Sequence, residues 1–103
     1  MEEMKFYKKN NCSHILYSNG TKVKVKPEDG KQFNLKEIQT IVKGYIQLIY
    51  IGNYVMIINE DGKELGLPFN EEATNLFQTH HNIDKDGDFI VGDVIICPAK
   101  MID

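Results

Sequence analysis

Two adjacent apolar segments constrain the fold of this chain more than any other feature. Residues Tyr45–Ile51 and Tyr54–Asn59 are rich in Ile, Val and Tyr, and the Gly52-Asn53 pair between them is a two-residue hairpin signal. Neither segment alternates cleanly, since Ile46 and Ile49 would face opposite sides of a strand. Strands that are apolar on both faces lie centrally in a sheet. The sequence therefore predicts a central hairpin, and a homo-oligomer whose second subunit covers part of it is an open alternative to a monomer.

A helix is predicted directly before this hairpin. Asn34 and Glu37 form a capping-box pattern, and Phe33 with Ile38 has the spacing of a hydrophobic staple. Gly44 suits the left-handed position that ends a helix. The apolar stripe of this helix needs a sheet to cover it, and the hairpin follows at once.

A second helix is predicted after Pro68, with Asn70 as its N-cap. Glu71 and Glu72 lie in its first turn, where carboxylates interact favourably with the helix dipole. The helix is predicted to end at His80-His81.

Shorter strands are predicted elsewhere. The candidates are Met4–Lys8, His14–Ser18, Thr21–Lys26, Glu64–Leu67 and Phe89–Cys97. Thr21–Lys26 alternates Lys with Val, which predicts an edge strand whose lysines discourage edge-to-edge pairing. The predicted fold class is α+β, with a mainly antiparallel sheet of about five to six strands and two short helices. Residues 1–103 form a single domain in this prediction, with residues 1–20 as an N-terminal extension that could add strands.

The composition excludes several classes of protein. The chain has 12 basic residues, all of them Lys, against 15 acidic ones, for a net charge of −3. Arg supplies most bidentate contacts to phosphate and guanine, so direct nucleic-acid binding is not expected. No run reaches the roughly 20 apolar residues of a membrane helix, and no apolar block of a secretory signal begins the chain. With only two cysteines, we expect free thiols and the cytoplasm of a host cell.

Two sets of residues have the chemistry of metal ligands without the usual spacing. The candidate calcium ligands are Asn82, Asp84, Asp86 and Asp93. They depart from a calcium loop because the first is Asn, the last is Asp rather than a bidentate Glu, and a strand is predicted to follow. The soft ligands are Cys12, His14, His80, His81 and Cys97. Their spacing is not that of a zinc site, so we predict no metal and no cofactor.

Catalysis has little support in the sequence. Ser13 and Ser18 lack the context of a nucleophile elbow, and no glycine-rich phosphate loop is present. Helix capping already explains the acidic pair Glu71-Glu72. We therefore predict that the protein is not an enzyme.

Binding residues are predicted on and beside the hairpin. Tyr combines a large apolar body with a hydroxyl group and is favoured where one surface recognises another. The candidates are Tyr45, Gln47, Tyr50, Tyr54, Asn59 and Asn70. Packing of the tyrosines against neighbouring strand residues is equally consistent with the sequence.

Short motifs in a fixed order give residues 21–97 a resemblance to a known family. The motifs are KVKPEDG at 24–30, VKGYIQ at 42–47, NEDGK at 59–63, GLPFN at 66–70 and IVGDV at 90–94. Their order and spacing resemble domain-of-unknown-function family 3846 of bacteria, phages and mobile elements, in which the position of Lys43 is often Gly. The resemblance implies a compact α+β fold and a phage or mobile-element setting. It carries no established activity and no catalytic residues.

Two hypotheses of function follow. The first is a small non-enzymatic protein of a phage or mobile element that binds and modulates a host protein, such as a component of host defence. The small size, the lack of a catalytic constellation, the apolar strands and the segregated charge motivate it. The alternative is a small-molecule binder that sequesters a nucleotide signal in a pocket formed by Tyr45, Gln47, Asn59 and Asn70.

Overall fold

Five antiparallel strands form one sheet with helices on both faces. The computed structural model describes residues 4–10 and 12–102 of the chain. The helices are α1 (Lys5–Asn10), α2 (Leu35–Val42) and α3 (Glu71–His81). The strands are β1 (Ser13–Leu16), β2 (Lys22–Val25), β3 (Ile46–Ile51), β4 (Tyr54–Asn59) and β5 (Val94–Pro98), and a 3₁₀ turn covers Ala99–Met101. The strand order β2-β1-β5-β4-β3, antiparallel throughout, confirms the predicted α+β class.

Helices of the same chain cover both faces of the sheet. On one face, Ile38 and Val42 of α2 pack against Val55, Ile57 and Ile95. On the opposite face, α1 and α3 contribute to a second apolar cluster with residues of β1, β3, β4 and β5. Helices of the same chain therefore cover β4 on both faces without a second subunit, whereas Leu48 and Tyr50 of β3 stay partly exposed.

The hairpin itself is not central, contrary to the prediction. β4 lies inside the sheet, but β3 is its last strand. The reason is β5, which comes from the other end of the chain and pairs with both β4 and β1. At the opposite edge lies β2, which confirms the edge strand predicted within Thr21–Lys26.

The predicted strand Met4–Lys8 is wrong, because α1 occupies Lys5–Asn10 and adds a third helix. In a helix, residues three apart share one side. Met4, just before the helix, and Tyr7 are accordingly both fully buried, while the residues between them are exposed. Packing against the sheet has therefore decided the local structure.

Two other strand predictions also need correction. Residues 64–66 lie in turns and Leu67 has no regular structure, so the strand predicted for Glu64–Leu67 is wrong. The regular part of the strand predicted for Phe89–Cys97 is shorter, Val94–Pro98, because Gly92 adopts φ +81° and interrupts it; Gly92-Asp93 is a pair at which the sequence offers a bulge or turn. Before that interruption, Val91 makes only an isolated bridge.

The ends of α2 illustrate what the sequence does and does not specify. The capping box is present: the Glu37 N–H donates to Asn34 Oδ1 (2.9 Å), and the Asn34 N–H donates to Glu37 Oε2 (2.7 Å). The left-handed residue after the helix is Lys43 (φ 66°), not Gly44 as predicted. Gly44 is required for a different reason, since a Cβ there would lie 2.8 Å from Nδ2 of Asn59.

Candidate functional site

β3 leaves one side of its backbone unpaired. No strand within the described residues pairs with its outer side. On its inner side, the Glu60 N–H donates to the Tyr45 carbonyl (2.9 Å), in the same register that places Gln47 opposite Ile58. Hydrogen-bonded and non-hydrogen-bonded pairs alternate in an antiparallel ladder. The direction of every backbone group in β3 therefore follows from this one bond.

The outward N–H and C=O groups belong to every second residue of β3. The residues whose backbone groups point toward β4 are Gln47, Ile49 and Ile51. The residues whose backbone groups point away from the sheet are Ile46, Leu48 and Tyr50. We call these last three residues the β3 edge.

The β3 edge has none of the usual protection against pairing with another strand. Natural sheets protect their edges with Lys, Pro or short strands. Residues 44–59 contain no charged side chain and no proline. Leu48 and Tyr50 of the edge are 38% and 49% exposed. The β3 edge is thus uncharged and open, on a strand of six residues.

The other edge of the sheet makes a sharp contrast. Between the end of β1 and the start of β2, the Tyr17 N–H donates to the Thr21 carbonyl (2.9 Å). The register then places the outward backbone groups of β2 at Lys22 and Lys24. Both residues carry a positive charge, and Pro27 follows shortly after. A second strand that approached β2 would meet these lysines. The protein therefore protects one edge and leaves the other available.

A cleft of about 300 Å³ lies beside β3 on the face that α3 covers. Ile49 and Ile58 of the sheet, Phe77 of α3 and Phe89 line it. Lys63 forms an ion pair with Asp88 across this region, and its ammonium group lies 4.5 Å from the centre of the Phe89 ring. The cleft therefore combines apolar walls with a charged rim.

The rim of this cleft is mainly acidic. Glu60, Glu64 and Asp88 contribute carboxylates, against the single ammonium group of Lys63. The hydrogen bond from Lys63 holds the pKa of the Asp88 carboxyl below its usual value. An apolar or positively charged group suits this rim, whereas a phosphate would be repelled. Gln47, a predicted binding residue, also lines the cleft.

A wider and more open hollow of about 810 Å³ lies at the turn between β3 and β4. Two predicted binding residues, Tyr50 and Tyr54, line it together with Lys8 and Lys100. Tyr54 is buried, and its hydroxyl donates to the Tyr7 carbonyl (3.1 Å). Tyr50 is the half-exposed ring of the pair. An aromatic ring beside two lysines can bind a planar anionic molecule.

Asn59 and Asn70, the two predicted asparagines, are engaged inside the fold. Nδ2 of Asn59 donates to the carbonyls of Val42 (3.0 Å) and Lys43 (3.3 Å), and its Oδ1 accepts the Asp61 N–H. Asn59 thus caps the C-terminal end of α2. Because these bonds stay within the chain, Asn59 serves the structure although it lies at the wall of the cleft.

Asn70 holds three elements together. Its Oδ1 accepts the Ala73 N–H as the predicted N-cap of α3, and its Nδ2 donates to the carbonyls of Leu16 (2.9 Å) and Gly92 (2.8 Å). Asn70 is 1% exposed and lies in neither the cleft nor the hollow. Tyr45, in contrast, is 69% exposed just before β3. Of the four predicted pocket residues, only Gln47 and Asn59 therefore line the same cleft.

The candidate metal ligands do not converge. Within residues 4–10 and 12–102, no three His, Cys, Asp or Glu side chains could hold one ion. Asn82 is the left-handed cap of α3, and Asp93 accepts the Ser18 N–H (2.9 Å). Of the calcium candidates Asn82, Asp84, Asp86 and Asp93, the three aspartates thus form no such group.

His14 forms a buried cluster that the sequence did not suggest. It is 2% exposed, and its ring lies 5.1 Å from that of Phe6 and 5.5 Å from that of Tyr7. Nδ1 finds no hydrogen-bond partner in the described part of the chain. Burial lowers the pKa of His14, and the charges of Lys22 and Lys24 lower it further. His14 is accordingly neutral and holds α1 against β1 by apolar contact.

The two cysteine thiols are separate. Cys12 Sγ lies 3.9 Å from Nε2 of His14, whereas Cys97 is buried on the α2 face of the sheet. Burial raises the pKa of the Cys97 thiol to about 12, so it stays protonated at neutral pH. A protonated buried thiol is a packing group rather than a nucleophile.

The family can now be stated. The model of a family described as a domain of unknown function (DUF3846) matches residues 13–101, and the chain belongs to this family. The match takes in β1, which lies before the residues 21–97 that carry the sequence resemblance, and leaves α1 outside. No curated protein and no solved structure matches the chain. Among the helices of residues 4–10 and 12–102, none has the length and apolar character to span a membrane.

Proposed function

We propose that this protein is a non-enzymatic interaction protein that binds an extended segment of another protein at the β3 edge. The bound segment would continue the sheet as a sixth strand, a recognised mode of peptide binding in which main-chain hydrogen bonds supply affinity. The setting is a phage or mobile element, and the partner is a host protein, such as a component of host defence. The observation that carries this proposal is the contrast between the two edges of the sheet: β3 has no charged residue or proline, whereas β2 at the opposite edge has lysines.

The side chains beside the edge support such a role. A sixth strand would present alternate side chains to the two faces of the sheet. On one face they would meet Leu48 and Tyr50. On the other they would meet Gln47, Ile49 and the acidic cleft, which suits an apolar or basic side chain of the partner. The cleft would thus provide selectivity for the segment that binds.

A matched pair of proline variants tests the proposal. Leu48→Pro removes an outward N–H of β3, and Lys24→Pro removes an outward N–H of β2. Each variant is immobilised and exposed to a bacterial lysate, and bound proteins are identified by mass spectrometry. We expect a host protein that binds the wild type and Lys24→Pro at native stoichiometry but not Leu48→Pro.

A second variant and a direct measurement keep this test decisive. Leu48→Lys places a charge on the edge without changing the backbone, and should also lose the partner. Hydrogen exchange of the complex should then show new protection at residues 46–50. A partner that binds all variants equally, or protects another surface, would refute binding at the β3 edge.

Binding of a nucleotide signal is the second candidate function, and the hollow at the turn between β3 and β4 is what favours it. Tyr50 could stack on a base, while Lys8 and Lys100 could bind phosphate. Native mass spectrometry of the gently purified protein tests this directly. Additional mass with nucleotide absorbance, lost in a Lys8→Glu and Lys100→Glu variant but kept in Lys24→Glu, would favour this function. A protein without added mass would count against it.

A further inference from the structure

We propose that the β3 edge also pairs with the β3 edge of a second copy of the chain. In the resulting symmetric dimer, the backbone groups of the edge are occupied and cannot bind a partner segment. This inference rests on the proposed role of that edge. It names the regulation of the site: the second copy and a partner segment use the same backbone groups, so each excludes the other. Release of the partner-binding edge then depends on the concentration of the protein.

The register of such a dimer follows from the direction of the backbone groups. A two-fold axis makes the two strands antiparallel, and only outward groups can bond across it. The register that uses all three outward residues places Leu48 opposite Leu48 of the second copy. Ile46 then lies opposite Tyr50, and Tyr50 opposite Ile46. Each of these pairs exchanges two N–H···O bonds, so no outward group in β3 is left unpaired.

The side chains are self-complementary in this register. On the face that α2 covers, two leucines meet at the axis and an Ile–Tyr pair lies on each side of them, which are favourable cross-strand contacts. On the other face, Gln47 lies opposite Ile49 of the second copy. Each of these pairs joins uncharged residues.

The distribution of charge favours pairing of two copies through β3 rather than through β2. Residues 44–59 carry no charge, and Lys43 would lie opposite Asn53 of the second copy, so self-pairing of β3 brings no like charges together. Self-pairing of β2 would place the lysines of one copy against those of the other, which is destabilising. The dimer would join two five-stranded sheets into one continuous sheet whose outer edges are the protected β2 strands.

Site-specific disulfide formation tests this register. In a Cys12→Ser background, Leu48→Cys places two thiols at the axis, where the Cα atoms of a hydrogen-bonded pair lie about 5.5 Å apart, within disulfide range. Tyr50→Cys is the matched control on the same edge and face. Its thiols would be four residues apart along the strands, about 14 Å, and cannot join. We expect mild oxidation to give a covalent dimer with Leu48→Cys and a monomer with Tyr50→Cys.

Sedimentation equilibrium of the wild type provides the independent readout. Data collected up to about 1 mM chain would show at least half of the chains as dimers even for a millimolar Kd. We expect the average mass to rise with concentration from one chain mass of 11.8 kDa toward two, and Leu48→Lys but not Lys24→Glu to hold it at one. A wild type that stays monomeric, or equal cross-linking of both cysteine variants, would overturn the dimer.

These results separate the dimer from the proposed function. If the chain is monomeric yet captures a host protein through Leu48, only the dimer is wrong. If the dimer forms but no host protein depends on Leu48, the proposed partner binding is wrong. Where both hold, the oxidised Leu48→Cys dimer captures no partner, and reduction restores capture.

Discussion

The effect of Gly44→Ala on the free energy of unfolding is expected to depend on residue 59: destabilising when Asn59 is present and stabilising when it is replaced by Ala. Gly44 is not left-handed, so its backbone accepts Ala. A Cβ would nevertheless lie 2.8 Å from Asn59 Nδ2, which must then leave the carbonyls of Val42 and Lys43. A buried polar group that loses its partner costs about 1–3 kcal/mol, so we expect Gly44→Ala to destabilise the wild type by about 2 kcal/mol.

A double-mutant cycle tests whether the cost of Gly44→Ala comes from the contact with Asn59. Asn59→Ala should itself cost about 2–3 kcal/mol, since it removes the same bonds together with the Asp61 contact. Without the Asn59 side chain there is no clash, and Gly44→Ala should then stabilise by about 0.5 kcal/mol by restricting the unfolded chain. The coupling between the two sites is thus about 2.5 kcal/mol.

Urea unfolding followed by circular dichroism measures the four free energies, provided that the dependence on denaturant is unchanged between variants. Equal costs of Gly44→Ala in the wild type and in the Asn59→Ala background would refute the reasoning. So would a neutral effect in the wild type, because the close approach would then impose no constraint.

Two further predictions concern pH and the end of α2. The pKa of His14 is lower in the folded chain than its ordinary value of 6.5, so the unfolded chain binds the extra proton first as the pH falls. The stability should therefore fall as pH drops below 6.5. Thermal melts from pH 8 to 5 should show a smaller fall in stability for His14→Phe. An unchanged pH dependence in that variant would contradict a neutral buried His14. Lys43→Gly should raise the free energy of unfolding by about 1 kcal/mol, because a left-handed Lys is strained and its contact with Asp93 (3.9 Å) is exposed and weak. A lower free energy of unfolding in urea for this variant would contradict the prediction.

Local signals in the sequence predicted those elements whose ends are specified by side chains. Asn34 is predicted as an N-cap from its capping-box partner Glu37, and Asn70 from the preceding Pro68 and the acidic first turn, and the structure confirms both. The hairpin at Gly52-Asn53 and the Lys-protected strand β2 were predicted for similarly local reasons. The helix α1 was missed because six residues give no periodic signal, and the burial of Met4 and Tyr7 against the sheet decides it.

The candidate site depends on strand order, which no local signal encodes. The sequence shows that residues 44–59 are uncharged, but an uncharged apolar hairpin predicts a central position in the sheet. Only the pairing of β5 with β4 places β3 at the edge. Leu48 is not among the predicted binding residues for this reason. Asn59 and Asn70 were selected as polar residues for a pocket, yet their hydrogen bonds are used within the fold. Tyr50 and Tyr54 lie on the predicted hairpin, but only the structure distinguishes the half-exposed Tyr50 from the buried Tyr54.

Amide hydrogen exchange along β3, measured by NMR over a range of protein concentrations, tests the central claim most directly. In dilute protein, we predict fast exchange at Ile46, Leu48 and Tyr50 and slow exchange at Gln47, Ile49 and Ile51. As the concentration rises, the three fast amides should become as protected as their neighbours. Fast exchange of these three amides at every concentration, or no alternation along the strand, would contradict an open edge that association closes.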